Sequence, residues 1–481
     1  MRRLSGTDTL FLAMETPAWH QHVGGVTILD PGPEGFSFDA VVDHIAERIR
    51  YSPKFTWKLA RAPLSLDRPV WVDAPEFDVR DHVHRIHVPS PGTPRQLGEI
   101  VGALASRQLD RSRPLWEVWI IEGVQGGRVA FVLKYHHCLL DGMAGADLAT
   151  TLFDLAPDAT TPLVPAPSEG ESSAGDFDRT QVALDLIGRG VRLPISWGSF
   201  ALNLGIKGAL MANRWRADID SRTILHGPRS LLNGEVGRHR QMTFASVALA
   251  DVTELKRLHE VTINDVVLAL CSGAIREHLL RLGDLPETSL TCSVPVSTRD
   301  RDDHTQDNQV SSMFVSLATD VSDPVERLRA IRASSQSAKR MAKAMGARHI
   351  QSLGDVASPL LLSQAFKAVW ATQLMTKGPL RTNTVVSNVP GPPVPLYLAG
   401  SRVAGIFPSS VILAGMGTNF TVVSNVDRLD IGLHVDPDLV EDPWHLADGV
   451  PRALAELLEA SGLGPPRPVE DAFGVTAGAS S

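Results

Sequence analysis

The stretch FVLKYHHCLLDGMAG, Phe131 to Gly145, constrains this chain more than any other. Phe131 to Tyr135 is a short apolar run with aromatic and β-branched residues, the pattern of a buried strand. It runs into two consecutive histidines, His136 and His137, and then into Asp141 and Gly142. Ala144, Leu148, Leu152 and Leu155 follow at helical spacing, so the histidines are expected where a strand hands over to a helix. A strand end holds an imidazole rigidly, and a nearby glycine permits a sharp turn or a close approach by substrate. Neutral imidazole has a pKa near working pH, which suits a general base.

Histidine is not rare here. The chain has 16, and an isolated pair is usually packing or surface. The full pattern HHxxxDG fixes four residues, and its chance occurrence in 481 residues is on the order of a few per thousand. That length predicts two domains, and 43% hydrophobic with 21% charged residues is enough to bury sizeable cores. A net charge of -8 argues against nucleic acid as a partner, because phosphate binding needs a basic face. Cys138, Cys271 and Cys292 lie far apart and form no CxxC pair, which fits a reducing, cytoplasmic compartment. Arg2 and Arg3 do not begin a signal peptide, since Asp8 and Glu15 break the apolar run that should follow. The longest apolar candidate, Ile195 to Trp215, is interrupted by Asn203, Lys207 and Asn213, so no spanning helix is expected.

Along the chain, a short helical piece near Leu10 to Met14 leads to a strand at Val23 to Leu29 and a helix at Phe38 to Arg50. His82, His84 and His87 raise the idea of a metal site, but no HExxH motif or further ligand of recognisable spacing supports it. Leu109 to Gly123 reads as a turn and a strand, with Trp116 accounted for by core packing. Ala156 to Asp178 is a Pro-, Ser- and Gly-rich connection. A helical stretch from Val182 to about Arg216 follows. Its apolar section, Ile195 to Met211, fits a lipid surface or a neighbouring domain equally well.

The second half predicts a strand at Gln241 to Leu249 and a helix through Leu258 capped by Asp251 and Glu254. A buried helix starts at Thr262 and Asp265. Strands are expected at Leu290 to Val296, Val310 to Leu317 and Thr384 to Val389, with a helix opened by Asp323-Pro324 between the last two. A hairpin over Phe420 to Asn425 and Leu429 to Val435 precedes a terminal helix from Trp444 to about Leu458. Strands and helices mix in both halves, which predicts an α/β or α+β protein of two similar-sized domains. The expected division is 1–180 and 237–465, with a helical linker at 181–236 and a disordered tail at 466–481.

HHxxxDG is the signature of the CoA- and carrier-dependent acyltransferase superfamily, and the remaining motifs narrow the choice. LSGTDTLFLAME with HVGG, RPLWEVWIIEG, HHCLLDG, LNGEVGRHR, TINDVVLA, VPVSTR, SNVPGPPVPLYLAG and LDIGLHVDPDLVEDP occur in this order. Together they resemble the bacterial wax ester synthase/diacylglycerol acyltransferase family, most of all actinobacterial triacylglycerol synthases, from Leu4 to about Leu458. The resemblance implies two chloramphenicol-acetyltransferase-like domains joined by a helical linker, with a tunnel between them. It implies acyl-CoA as co-substrate with no further cofactor, and diacylglycerol or a long-chain alcohol as acceptor. Contact with membranes or lipid inclusions is expected to be peripheral.

On that resemblance His137 is the general base and His136 orients its loop. Asp141 anchors the loop, with Gly142 beside it and Arg299 as the candidate ion-pair partner. Asn264 positions His137 or stabilises the oxyanion, against the plainer reading of a polar residue at a helix start. Pro114, Leu115 and Trp116 line the acyl channel, and Ser387, Asn388 and Gly391 shape the opposite wall. No GxSxG nucleophile elbow occurs, consistent with direct transfer. Two alternatives stay open: a condensation-type acyltransferase using carrier-bound groups, and a lipid-body protein without turnover.

Overall fold

The computed structural model describes residues 2–33, 35–60, 68–139, 151–159, 227–297, 310–345 and 382–474. In the first half these form β1 (Arg2–Arg3), α1 (Gly6–Met14), β2 (His22–Asp30), α2 (Phe38–Arg48), β3 (Trp57–Ala60) and β4 (Val70–Asp73). Next come β5 (Val83–His87), α3 (Pro94–Ala105), β6 (Trp116–Val124) and β7 (Arg128–His136). The second half holds β8 (Gln241–Ala248), α4 (Leu249–Leu258), α5 (Ile263–Leu282), β9 (Thr291–Ser297), β10 (Val310–Ser316) and α6 (Pro324–Met345). It ends with β11 (Thr384–Val389), β12 (Tyr397–Leu398), β13 (Ser401–Ser409), β14 (Thr418–Asn425), β15 (Arg428–Val435) and α7 (Pro443–Ala460).

Two six-stranded sheets carry the molecule, in the orders β12-β13-β2-β7-β6-β5 and β10-β9-β11-β14-β15-β8. β7 therefore lies inside the first sheet, flanked by β2 and β6, and its end is braced on both sides. His136 pairs with His22 of β2, and its N–H donates to the Leu115 carbonyl. The HVGG motif has a packing reason: a Cβ on Gly24 would overlap the Leu133 carbonyl, and one on Gly25 would press on Phe407 of β13. Only glycine lets β2 sit this close to both neighbours.

The first sheet is not built from the first half alone. β12 and β13 come from the second half, and Ser409 to Arg402 pair with Gly24 to Asp30. The two halves also share a hydrophobic core, in which Val26, Val101 and Val132 meet Met242, Phe244, Phe407 and Trp444. A division of the chain into consecutive domains thus does not follow the sheets.

Several sequence expectations are corrected. Asp251 and Glu254 do not cap α4, whose first residue follows Ala248 with no side-chain cap; both carboxylates instead face Arg467. The helix expected over 38–50 ends at Arg48 and continues as a 3₁₀ turn, Ile49–Tyr51. The expected disordered tail is ordered through Gly474, with Ala472 and Phe473 buried in the shared core. α5 is capped by Thr262 and Asp265 as expected and is buried over most of its length. Residues 140–150 with Asp141 and Gly142, the 181–226 part of the linker and Arg299 lie outside the described residues. Thr151 and Leu152 are helical but Leu155 is not, and the linker expected to be helical to 236 runs without helix over 227–236. No single described helix is long and apolar enough to cross a membrane.

Candidate active site

His137 sits in the turn that closes β7. Its N–H donates to the Gln21 carbonyl at 2.7 Å, and Leu139 N–H closes the turn onto the His136 carbonyl. The Phe11 ring of α1 stacks on the imidazole, with centroids 4.1 Å apart and planes 11° from parallel. The residue is half-buried, with its Nδ1 fully buried. A strand end braced in this way holds the imidazole in a fixed position.

His136 is buried, and its Nδ1 accepts from the Cys138 N–H at 3.1 Å. Accepting there leaves the proton on Nε2, which faces Glu15 Oε2 at 3.5 Å, long for a hydrogen bond. Burial lowers the His136 pKa, so the ring is neutral.

Glu15 is the residue that sequence reasoning missed. It entered there only as a charge that interrupts an apolar run. In the structure its side chain is 2% exposed, and three cationic or hydrogen-bonding side chains converge on it. Arg111 Nε donates to Oε2 at 3.1 Å, and Arg111 Nη2 to the same oxygen and to the Leu12 carbonyl. His22 Nε2 lies 3.2 Å from Oε1. The Leu109 N–H approaches the same nitrogen at 3.4 Å, but a lone pair there would face the carboxylate, so the proton belongs on His22 Nε2. Burial alone would raise the Glu15 pKa. The histidine contacts and the Arg111 charge outweigh it and hold the carboxyl far below its usual range. The signal available in the sequence was the spacing: Phe11 and Glu15 are four residues apart, about one helical turn, with Glu15 just past the end of α1.

The proposed channel residues divide. Leu115 and Trp116 are buried, and the Trp116 indole donates to the Phe55 carbonyl at 2.7 Å while stacking on His82. They brace the end of β7 from the β6 side, with Pro114 leading in. Ser387 and Asn388 end β11 in the second sheet, half-buried. Gly391 N–H donates to Ser424 Oγ at 2.9 Å, and a Cβ there would overlap the Ser424 carbonyl. Asn264 is the second residue of α5. The capping box uses Thr262 and Asp265, so the helix start does not employ Asn264. No hydrogen bond among the described residues joins Asn264, Ser387, Asn388 or Gly391 to the histidine pair.

Cys138, next to His137, is not a rival nucleophile. Burial first, and the Asp8 charge second, push its thiol pKa well above the ordinary value. The other histidine cluster is absorbed by packing: His82 bonds the Trp116 carbonyl, His84 lies against Trp119, and His87 bonds the Val88 carbonyl. No group of three or more His, Cys, Asp or Glu side chains that could hold a metal ion occurs among the described residues.

Two mixed six-stranded sheets, the first completed by a strand from the second half, with a histidine pair presented at the end of a central strand, define a histidine-bearing acyltransferase fold. The chain matches the wax ester synthase/diacylglycerol acyltransferase catalytic domain over residues 4–267 and the C-terminal domain of the same family over 306–458. It belongs to the wax ester synthase/diacylglycerol acyltransferase family. A putative diacylglycerol O-acyltransferase of Mycobacterium tuberculosis is 38% identical over 467 residues, 96% of this chain and 91% of that protein. The wax ester synthase/diacylglycerol acyltransferase of Marinobacter aquaeolei VT8 superposes with a TM-score of 0.68 at 27% identity, covering 96% of this chain and all of that one. The first condensation domain of the calcium-dependent antibiotic synthetase shares the fold, with a TM-score of 0.56 at 13% identity over 98% of each chain.

Proposed function

We propose that the protein transfers a fatty acyl group from acyl-CoA to the free hydroxyl of a diacylglycerol, giving triacylglycerol and CoA. Long-chain alcohols serve as alternative acceptors and give wax esters. The observation that carries this reading is the end-to-end match to one acyltransferase family, together with a histidine pair at a braced strand end.

His137 takes the proton from the acceptor hydroxyl as its oxygen attacks the thioester carbonyl. The tetrahedral intermediate collapses with cleavage of the C–S bond, and the imidazolium returns the proton to the leaving thiolate. No enzyme-bound acyl group is formed. Asn264 is the candidate donor to the oxyanion, and Asp141 with Arg299 the candidate anchor of the loop beyond Gly142. Pro114, Leu115 and Trp116 on one side and Ser387, Asn388 and Gly391 on the other are proposed to bound the acyl channel. The acceptor is insoluble in water, so the protein meets it as a peripheral protein at a membrane or lipid inclusion, on the cytoplasmic side.

The test is CoA release by the purified protein from palmitoyl-CoA, with diacylglycerol and hexadecanol offered in parallel. Release that depends on one acceptor names the substrate class. No release with either overturns the reading, and carrier-bound acyl donors then test condensation-type chemistry. His137→Ala is expected to abolish release, by roughly a thousandfold or more, while leaving the far-UV spectrum unchanged; turnover comparable to wild type in a folded variant removes His137 as the base.

A further inference from the structure

We propose that Glu15 is a positioning residue for the acyl transfer, holding His136 and, through it, the turn that presents His137. The proposal rests on His137 acting as the base. α1 and the residue that ends it press on the histidine pair: Phe11 stacks on His137, and Glu15, at the C-cap four residues later, faces His136. A salt bridge to Arg111 alone needs no burial, since Arg111 is itself 31% exposed. Glu15 is instead drawn inside, where His22 and His136 from two paired strands meet it.

The chain of cause runs through one proton. The Cys138 N–H binds His136 Nδ1, and this bond pins the backbone immediately after His137. It exists only while the His136 proton is on Nε2. That N–H is buried and has no hydrogen-bond partner among the described residues, and Glu15 Oε2 at 3.5 Å is the carboxylate oxygen it faces. Remove the carboxylate, and the Cys138 bond alone opposes a shift of the proton to Nδ1 or a rotation of the ring. Either change frees Cys138 N–H and loosens the turn, so the imidazole of His137 no longer meets the hydroxyl at a fixed place. Glu15 never touches substrate in this account.

The full-length enzyme is assayed for CoA release from palmitoyl-CoA with diacylglycerol, as Glu15→Gln, as His136→Asn and as the double variant. His136→Asn keeps an oxygen able to accept from Cys138 N–H but carries no ring to be oriented. Glu15→Gln is expected to lower kcat roughly 10- to 100-fold with KM for palmitoyl-CoA within about twofold. In the His136→Asn background it is expected to lower kcat no further. A folded Glu15→Gln protein with near wild-type kcat overturns the proposal, as does a loss that multiplies in the double variant. Should Glu15→Gln fail to fold, Glu15→Gln/Arg111→Gln removes both charges and is read in the same way.

Failure of the acyltransferase reading is seen separately, as a wild-type protein that releases no CoA with any acceptor. The positioning claim is then read from the imidazole nitrogen shifts of ¹⁵N-histidine protein. They should report a His136 proton on Nε2 in wild type and a mixture of tautomers in Glu15→Gln. Identical shifts in the two proteins overturn it.

Discussion

At the scale of single residues, buried neutral histidines tie stability to pH. Burial pushes His22 down to about 3 and His434 down to about 4, from an ordinary value of 6.5. The unfolded chain protonates these rings near pH 6.5, while the folded one resists until pH 3 to 4. Their contribution is therefore fully present above pH 6.5 and is lost as pH falls toward the folded values, on the order of 5 kcal/mol for His22 and about 3 kcal/mol for His434. Glu15 shifts in the same direction for a different reason. Its carboxyl is depressed by its partners, so its contribution is present above about pH 4.5 and lost below it. Urea midpoints measured from pH 7.5 to 4 should fall steeply below 6.5, and a flat profile would show that these rings are hydrated in solution. Trp116 supplies a second residue-scale case. Trp116→Phe removes the donor to the Phe55 carbonyl inside the core and is expected to cost about 2 kcal/mol, measured by equilibrium denaturation.

At the scale of elements, β2 is the strand with the least freedom. It is squeezed between β7 and β13, and Gly24 has a φ of 154°, a region open to glycine and strained for other residues. Gly24→Ala is expected to cost more than about 3 kcal/mol, since a Cβ would drive into the Leu133 backbone. Loss of soluble protein on expression, or a Tm lowered by ten degrees or so, would bear this out; an unchanged Tm would mean that the strands separate to make room. The elements around the site were legible because their patterns were strong. Alternating and β-branched runs gave β2, β7, β14 and β15, and the Thr262 and Asp265 pair gave the start of α5. α4 was misread at its cap because Asp251 and Glu254 had a tertiary partner, Arg467, that outcompeted the local bonds.

At the scale of the whole molecule, the two halves are joined by exchange of structure and not by a simple interface. β13 crosses into the first sheet, and the last described residues run back over the seam. Arg467 pairs with Asp251 on α4, Arg402 and Arg428 hold Glu470, and Phe473 stacks on Phe407 and packs against Phe244. Phe473→Ala is expected to destabilise the protein by about 3 kcal/mol, although it is far along the chain from every motif. A midpoint in urea equal to that of wild type would show that this segment does not clasp the halves. The sequence by itself determined the chemistry on offer: a histidine pair at a strand end, ordered motifs of one family and cores large enough for two sheets. Those are properties of local pattern, which short windows of residues carry. Only the tertiary structure decided that Glu15 belongs to the site, that β13 completes the first sheet and that Ala472 and Phe473 are buried. Each depends on partners tens to hundreds of residues away, and no local periodicity encodes which distant carboxylate a buried imidazole will meet.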